Sequence, residues 1–219
     1  AYMRNVVSIE ATRGCPNRCG FCVVSQHAGH RLITRPVHDV IDEMRSTDAR
    51  AFVFLDPNFH ADRAYAHELM AAMVDLKIRW ACLSTVDVGL DDQTLDLMRR
   101  SGCLGALVGF ESVCPASLIE TGKGHNRIAT YLDAVRGFKE HRVSVLGCFI
   151  FGFDGDTREV FDETVDFVCK SRMELARYAV LTPFPGTALY RELDAQGRII
   201  EKNPDLYDFQ HVVLRPKNM

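Results

Sequence analysis

The sequence lacks the features that mark membrane, secreted and nucleic-acid-binding proteins. No apolar run approaches the roughly 20 residues that a membrane-spanning helix needs, and no secretory signal opens the chain. The 26 Lys and Arg residues are outnumbered by 29 Asp and Glu, so the formal net charge is −3. That balance provides no basic field to attract nucleic acid or anionic lipid. We therefore expect neither a membrane span nor a nucleic-acid partner.

The composition fits a soluble globular protein. Of 219 residues, 47% are apolar and 25% charged, and the chain is long enough to bury a sizeable core. Four of the eight cysteines lie in apolar, element-like segments, where a free thiol behaves as a small hydrophobic group: Cys82, Cys103, Cys148 and Cys169. This usage favours free thiols over disulfides and predicts a reducing, cytoplasmic location.

Three further cysteines form the most informative motif. Cys15, Cys19 and Cys22 are spaced C-x3-C-x2-C in a loop that also contains glycine and proline. Short irregular backbone lets three thiolates converge on one point, and runs of this kind hold iron–sulfur clusters. A [4Fe–4S] cluster would leave its fourth iron open to a small molecule, as catalytic zinc sites keep an open position. A Cys3His zinc site that includes His27 is the alternative.

A repeated pattern of apolar run, polar loop and helical period runs through the chain. The predicted strands are residues 5–11, 51–55, 80–84, 105–110, 143–151 and 175–181. Six βα units predict an α/β fold with parallel strands and outer helices. Eight units would close a TIM barrel, whereas six leave a partial (β/α)6 barrel. A flavodoxin-like open sheet is the alternative.

The helices are predicted from apolar stripes and capping residues. The first should start at Pro36, the second spans 62–76, the third 92–100, and the last ends near Gly197. An Asp156-x-x-Glu159 box should open the helix after residue 151. The residues expected to face inward are Val37, Val40, Ile41, Met44, Leu69, Met70, Met73, Val74, Ile128, Tyr131, Leu132, Val135, Phe138, Val160, Phe161, Val165 and Val168.

The cysteine motif resembles that of the radical S-adenosylmethionine (SAM) superfamily, which places an aromatic residue, here Phe21, before the last cysteine. The resemblance implies that Cys15, Cys19 and Cys22 hold a [4Fe–4S] cluster and that SAM chelates its fourth iron. It further implies reductive cleavage of SAM to a 5′-deoxyadenosyl radical. The family's core is a six-unit partial barrel, which agrees with the count of βα units.

Residues at the predicted strand ends extend the resemblance to SAM binding. Asp56 and Asn58 stand where most members carry a Gly-Gly-Glu-Pro run that binds the SAM amino group. Since this chain departs from that run, Asp56 and Asn58 would supply the polar contacts, and an Asx-Pro turn is the alternative. Ser84 follows the next strand and is expected to bond the SAM carboxylate or ribose.

The later strands add further candidates. Glu111, in a Gly-Phe-Glu-Ser run, resembles a family carboxylate that meets the SAM ribose or amino group. Arg127, and after it Lys123, is expected to bind the methionine carboxylate of SAM, with a solvated charged loop (Lys123, Gly124, His125, Asn126, Arg127) as the alternative. Gly152 lies in a stretch, residues 147–153, that is similar to the glycine-bearing strand on which adenine packs in this family.

Residues 182–187, Thr-Pro-Phe-Pro-Gly-Thr, resemble the cobalamin (B12)-binding branch of this family, as do Arg35-Pro36 and residues 56–59. The branch implies methyl transfer through cobalamin, with oxidative cyclisation or ring rearrangement as the alternative. It also implies a small-molecule substrate and an electron donor such as flavodoxin or ferredoxin. Residues 211–219 are similar to members that modify hopanoid lipids and isoprenoids.

The predicted domain is a barrel over residues 1–198 with a C-terminal extension over 199–219. All six βα units are used by the barrel, so cobalamin would be bound outside this chain. The start at Ala1 without an initiator Met suggests an excised piece whose upstream cobalamin domain is absent. A functional alternative from another class is a non-catalytic zinc or iron–sulfur scaffold, which would hold metal without affinity for SAM.

Overall fold

The computed structural model describes residues 5–24, 30–123 and 126–219. Its strands are Val6–Ile9 (β1), Thr12–Arg13 (β2), Ile33–Thr34 (β3), Ala51–Phe54 (β4), Arg79–Ser84 (β5), Cys103–Glu111 (β6), Ser144–Phe151 (β7) and Leu175–Val180 (β8). Its α-helices are Val37–Arg45 (α1), Arg63–Met73 (α2), Asp92–Ser101 (α3), Pro115–Glu120 (α4), Tyr131–Glu140 (α5), Val160–Ser171 (α6) and Ala188–Ala195 (α7). Short 3-10 turns occupy Val74–Leu76, Val86–Leu90, Ile128–Thr130 and Pro204–Leu206.

Six strands form one parallel sheet in the order β1-β4-β5-β6-β7-β8. Strands that follow one another in the chain lie side by side, with helices between them, as right-handed βα crossovers require. The sheet has β1 and β8 at its two edges. The predicted partial (β/α)6 barrel is confirmed. A separate antiparallel ribbon pairs β2 with β3.

The main core lies between the helices and the convex face of the sheet. Alternate strand residues, such as Phe52, Trp80, Val108 and Phe149, are buried there. The ring of Trp80 meets that of Phe54 edge-on at 5.6 Å between centroids. Because the packed core is on this side, the concave face remains free for a site.

Several helix faces differ from the prediction. In α6 the inward stripe contains Val160 and Thr164, whereas Phe161 and Val165 are half exposed. The Thr164 hydroxyl donates to the Val160 carbonyl at 2.7 Å, which satisfies its polar group inside the core. A threonine therefore occupies the buried face of α6. The predicted face, based on apolar residues alone, was rotated by about one residue from the observed one.

Two further burial predictions are wrong. In α5 the buried positions are Tyr131, Ala134, Val135 and Phe138, so Leu132 points outward. Cys169, expected inside an apolar segment, is exposed on α6, while Cys82 and Cys103 are buried as predicted. Both errors follow from the direction in which each helix faces the sheet, which depends on tertiary packing.

The predicted Asp156–Glu159 capping box does not form. Helix α6 begins at Val160, and Glu159 at its N-cap makes no side-chain capping bond. Asp156 is fully buried instead, where it accepts hydrogen bonds from Gly152 N, Phe153 N and the Ser117 hydroxyl. The carboxylate thus joins the end of β7 to α4, because these buried donors need a partner.

The first predicted strand, 5–11, is shorter in the structure, where β1 ends at Ile9 and the separate β2 follows at Thr12. The first helix begins at Val37 with Pro36 at its N-cap. At the other end of the chain, residues 199–219 pack back onto the barrel. Ile199 bridges to Leu214, and Val180 N donates to Phe209 O at 2.8 Å. The division of the chain at residue 198 stays a prediction.

None of the helices in the described ranges combines the length and apolarity needed to cross a bilayer.

Gly137 in α5 provides a test of this packing. A Cβ added there would collide with the carbonyl oxygen of Gly89. Helix propensity alone favours Ala by about 1 kcal/mol, but overpacking costs about 1–3 kcal/mol. We expect Gly137→Ala to lower the free energy of unfolding in urea titrations. Gly20→Ala is the control, since nothing lies within 4 Å of the added carbon; a Gly137 variant as stable as this control would contradict the packing.

Candidate functional site

The three motif cysteines line one cavity at the carboxyl ends of the parallel strands. The cavity has a volume of about 320 Å³. It is lined by Cys15, Asn17, Cys19, Phe21, Cys22, Pro57, Asn58, Leu83, Ser84, Thr85, Leu107, Gly109, Glu111, Lys123, Cys148 and Phe209. We call it the cysteine cavity. Parallel barrels place their chemistry at this end of the strands.

The ribbon of β2 and β3 brackets the cysteine loop, residues 14–22, and Asp56 fixes the approach to it. Asp56 is fully buried and accepts hydrogen bonds from Ala11 N at 3.1 Å, Thr12 N at 2.5 Å and the Thr12 hydroxyl at 2.7 Å. Burial raises the pKa of Asp56, and these hydrogen bonds oppose the rise. Because its oxygens bond the chain itself and it is absent from the cavity lining, Asp56 supports the loop rather than offering a contact to SAM.

The other side of the cysteine loop rests on the segments after β6 and β8. Gly20 N donates to Thr121 O, and Leu189 N donates to Gly20 O, both at 3.1 Å. The ring of Phe21 lies 6.1 Å from that of Phe153. The loop is thus held from three directions, and Phe21 both packs against the barrel and lines the cavity.

A buried ion pair forms the wall of the cavity beside the loop. Lys123 Nζ lies 3.0 Å from Glu111 Oε1, and both side chains are about nine-tenths buried. Burial alone lowers the pKa of Lys123, but the charges of Glu111 and Cys19 outweigh it and the pKa is raised. Glu111 has φ of 66°, a left-handed conformation that is strained for this residue type. Such strain is typical of functional sites.

Glycine at position 109 leaves room for this pair. A Cβ there would collide with Glu111 Oε1 and lie 3.3 Å from Lys123 Nζ. Asn126 fixes the same strand end by donating to the carbonyls of Gly109 and Phe110 at 3.0 and 3.2 Å. The end of β6 is therefore shaped around the ion pair.

Burial and a neighbouring cation act in opposite directions on the charge of the motif cysteines. Burial raises the pKa of the Cys19 thiol to about 11, and the nearby Lys123 ammonium opposes that rise. A cation beside thiolates favours their charged, metal-binding form. Among the described residues, no three His, Cys, Asp or Glu side chains are grouped closely enough to hold a single ion. A four-iron cluster binds each thiolate to a different iron, and so accepts sulfurs that lie further apart.

Asn58 and Ser84 also line the cavity, next to a buried histidine. Asn58 Oδ1 accepts from His60 N at 3.2 Å, an Asx-type turn, and the Ser84 hydroxyl lies 3.1 Å from His60 Nδ1. Burial, assisted by the charge of Arg63, lowers the pKa of His60 to about 3. His60 is therefore neutral at physiological pH and fixes the Ser84 side chain.

Two sequence candidates lie away from the cavity. Arg127 is exposed and is not part of the lining. Gly152, with φ of 111°, lines a different, apolar cavity near the C-terminal segment. Lys123, the second candidate for the methionine carboxylate, is the cation that the fold brings to the cysteines. His27, Gly124 and His125 lie outside the described residues.

Sequence reasoning missed several residues of the cavity. Leu83 and Leu107 face it from β5 and β6, and the alternation of each strand would have indicated this once the sheet was known. Phe209 arrives from the C-terminal segment, with its ring near Arg177 and Phe184. No local pattern predicts that return of the chain.

A partial parallel barrel with a three-cysteine cavity at its strand ends defines the class of iron–sulfur enzymes that act on SAM. The chain belongs to the radical SAM superfamily, whose family model matches residues 9–168.

Two curated relatives are named as methylating enzymes. Bacteriochlorophyllide d C-12(1)-methyltransferase of Chlorobaculum tepidum is 34% identical over 220 residues, which cover 98% of this chain and 48% of that protein. Hopanoid C-2 methylase of Rhodopseudomonas palustris is 28% identical over 203 residues, covering 88% of this chain and 38% of that protein. The chain thus spans about half the length, or less, of these relatives.

The fold is shared with a solved enzyme. TsrM of Kitasatospora setae, a radical SAM methyltransferase determined with cobalamin and a [4Fe–4S] cluster bound, superposes with a TM-score of 0.81 at 24% identity. The match covers 91% of this chain and 38% of that one. At this identity the likeness shows the fold.

The Glu111–Lys123 pair can be tested with a double-mutant cycle. Glu111→Gln leaves a buried ammonium without its counter-charge and should cost about 3–5 kcal/mol of unfolding free energy. Adding Lys123→Met should recover part of that loss. Asp133→Asn, at the exposed Arg136 pair, is the control and should cost less than about 1 kcal/mol. Strictly additive effects in urea titrations would show that Glu111 and Lys123 do not interact.

Acid should destabilise the protein through His60. Its folded pKa is about 3 and its ordinary value 6.5, so the unfolded chain binds the proton first, and stability falls as pH drops below about 6.5. Between pH 7 and pH 5 the wild type should lose about 2 kcal/mol more unfolding free energy than His60→Gln. The exposed His38→Gln should follow the wild type. Equal pH dependence of all three proteins would refute this contribution.

Proposed function

We propose that this chain is a radical SAM catalytic core that holds a [4Fe–4S] cluster through Cys15, Cys19 and Cys22 and binds SAM beside it. The observation that supports this most is the cysteine cavity, in which three thiols, a buried ion pair and apolar walls meet at the strand ends. When bound, the reduced cluster supplies the electron that cleaves SAM to methionine and a 5′-deoxyadenosyl radical, which abstracts hydrogen from an unactivated carbon.

The chain's own residues would position SAM and limit competing reactions. Glu111 would accept from the ribose hydroxyls or the amino group, and Lys123 would bind the methionine carboxylate, because both line the cysteine cavity. Asn58 and Ser84 supply further polar contacts at the same rim. Leu83, Leu107 and Phe209 form apolar walls that exclude water, which protects a reactive radical.

For the complete protein we propose methyl transfer to a carbon of a small-molecule substrate, through cobalamin bound outside this chain. The names of the relatives support methylation, and the Thr-Pro-Phe-Pro-Gly-Thr run supports the cobalamin-binding branch. Oxidative cyclisation or ring rearrangement is the alternative reaction. A lipid or isoprenoid substrate, a flavodoxin or ferredoxin electron donor and a cytoplasmic location belong to the same proposal.

The first experiment tests cluster and cleavage together. The chain is reconstituted anaerobically with iron and sulfide, both are counted, and the reduced protein is given SAM. About four irons per chain and formation of 5′-deoxyadenosine are expected. Zinc alone, or a cluster indifferent to SAM in the complete protein, would favour the non-catalytic scaffold.

Cysteine substitutions test the assignment of the cluster ligands. Cys19→Ala should lose the cluster, seen as loss of its visible absorbance and of bound iron, and should form no 5′-deoxyadenosine. Cys148→Ala is the matched control, because Cys148 lines the same cavity but lies outside the motif. It should retain the full iron content. Equal iron loss in the two variants would remove the basis of the assignment.

A further inference from the structure

The concave face of the sheet carries a row of aliphatic side chains across four strands. Register places Leu83 of β5 beside Leu107 of β6, Leu107 beside Leu146 of β7, and Leu146 beside Leu175 of β8. We call these four residues the leucine belt. Residues two positions apart in a strand point to the same side, so the layers above and below the belt can be read from the same register.

The layer below the belt consists of small side chains. Ala81 pairs with Gly105, and Gly105 pairs with Ser144. Together with the belt they line a cavity of about 470 Å³, the lower chamber. Because these small side chains do not fill the barrel interior below the leucines, the space there stays open. In closed eight-stranded barrels, by contrast, layers of side chains fill the interior.

The lower chamber has mainly apolar walls, and Glu174 is the charged residue in its lining. Its remaining walls are Val53, Leu104 and neighbouring strand residues. Glu174 also borders it, but its carboxylate accepts a hydrogen bond from Val145 N at 2.8 Å. Leu104 and Leu175 are 42% and 62% exposed, so this aliphatic surface is covered by nothing in the described chain. A concave aliphatic surface of this kind is typical of a ligand site.

The lower chamber adjoins the cysteine cavity. Leu83 and Leu107 line both cavities. Directly above the belt, Gly109 pairs with Cys148, and both line the cysteine cavity. A ligand that passes between the leucines would therefore extend from the cysteine loop to the bottom of the barrel.

We propose that the lower chamber receives an extended apolar portion, aliphatic or polycyclic, of the substrate, which crosses the leucine belt while its reacting carbon stays in the cysteine cavity. The position of the two cavities on either side of a shared leucine wall and the aliphatic lining favour this occupant over a charged or sugar-like group. The inference rests on the proposed function only in placing the reaction in the cysteine cavity.

Binding is tested on the metal-free chain with dansylundecanoic acid, whose fluorescence rises in an apolar site. Ala81→Trp should fill the chamber, and Leu146→Glu should place a charge in the belt. Each should weaken probe binding by about tenfold or more, since excluding a few methylenes removes at least 1.4 kcal/mol. Urea titrations establish that each variant is folded, and either variant alone suffices for the test.

Val212→Glu is the matched control. Val212 lines the other apolar cavity, beside the C-terminal segment, and its substitution should leave probe affinity unchanged. Loss of binding in this variant, with wild-type affinity in the chamber variants, would place the probe elsewhere and overturn the inference. Because the assay needs neither iron nor SAM, its outcome is independent of cluster assembly.

Passage through the belt is tested by maleimide labelling, followed peptide by peptide in a mass spectrometer. If the probe crosses the belt, it should slow labelling of Cys148 several-fold and leave the exposed Cys169 unaffected. Unchanged labelling of Cys148 with bound probe would confine the ligand below the belt. That result would overturn the inference and favour a plug supplied by another polypeptide segment.

Discussion

The site depends on the buried carboxylate of Asp56. Its oxygens accept from the backbone of Ala11 and Thr12 and from the Thr12 hydroxyl, so the chain leaves β1 in one direction and enters the cysteine loop in a fixed orientation. In the proposed cluster site this loop needs a fixed conformation, because three thiols have to reach one cluster and each lost ligand would weaken the metal site. Asp56 supplies this order from the turn after β4, the strand next to β1, and lies outside the cysteine cavity.

A second buried carboxylate, that of Glu111, orders another wall of the same cavity. Lys123 lies beside the cysteines, and Glu111 lies beside Lys123, held in a left-handed conformation at the end of β6. A bound cluster with thiolate ligands brings negative charge into an apolar cavity, where an unbalanced charge is costly. Lys123 is the cation nearest to the cysteines, and Glu111 holds it in place. In the proposed site this pair would therefore face both the cluster and SAM.

Much of the fold could be predicted from the sequence, because strand and helix periods are local. The six βα units and the cysteine loop at the first strand end are of this kind. What could not be predicted depends on contacts between distant segments. Thr164 replaces Phe161 in the buried stripe of α6, and Asp156 bonds the end of β7 instead of capping a helix. Both side chains have several local options, and tertiary packing selects one.

The same distinction between local patterns and contacts of distant segments applies to the candidate site. The motif identifies Cys15, Cys19 and Cys22, but it does not show that the fold turns Asp56 away from the cavity or leaves Arg127 in solvent. Nor does it show the leucine belt, whose members come from four strands and meet only through register. A partial barrel has too few strands to fill its own interior, and the described residues leave the concave face of this sheet uncovered beside the cysteine cavity. The proposed substrate site depends on this open interior as well as on the cysteines.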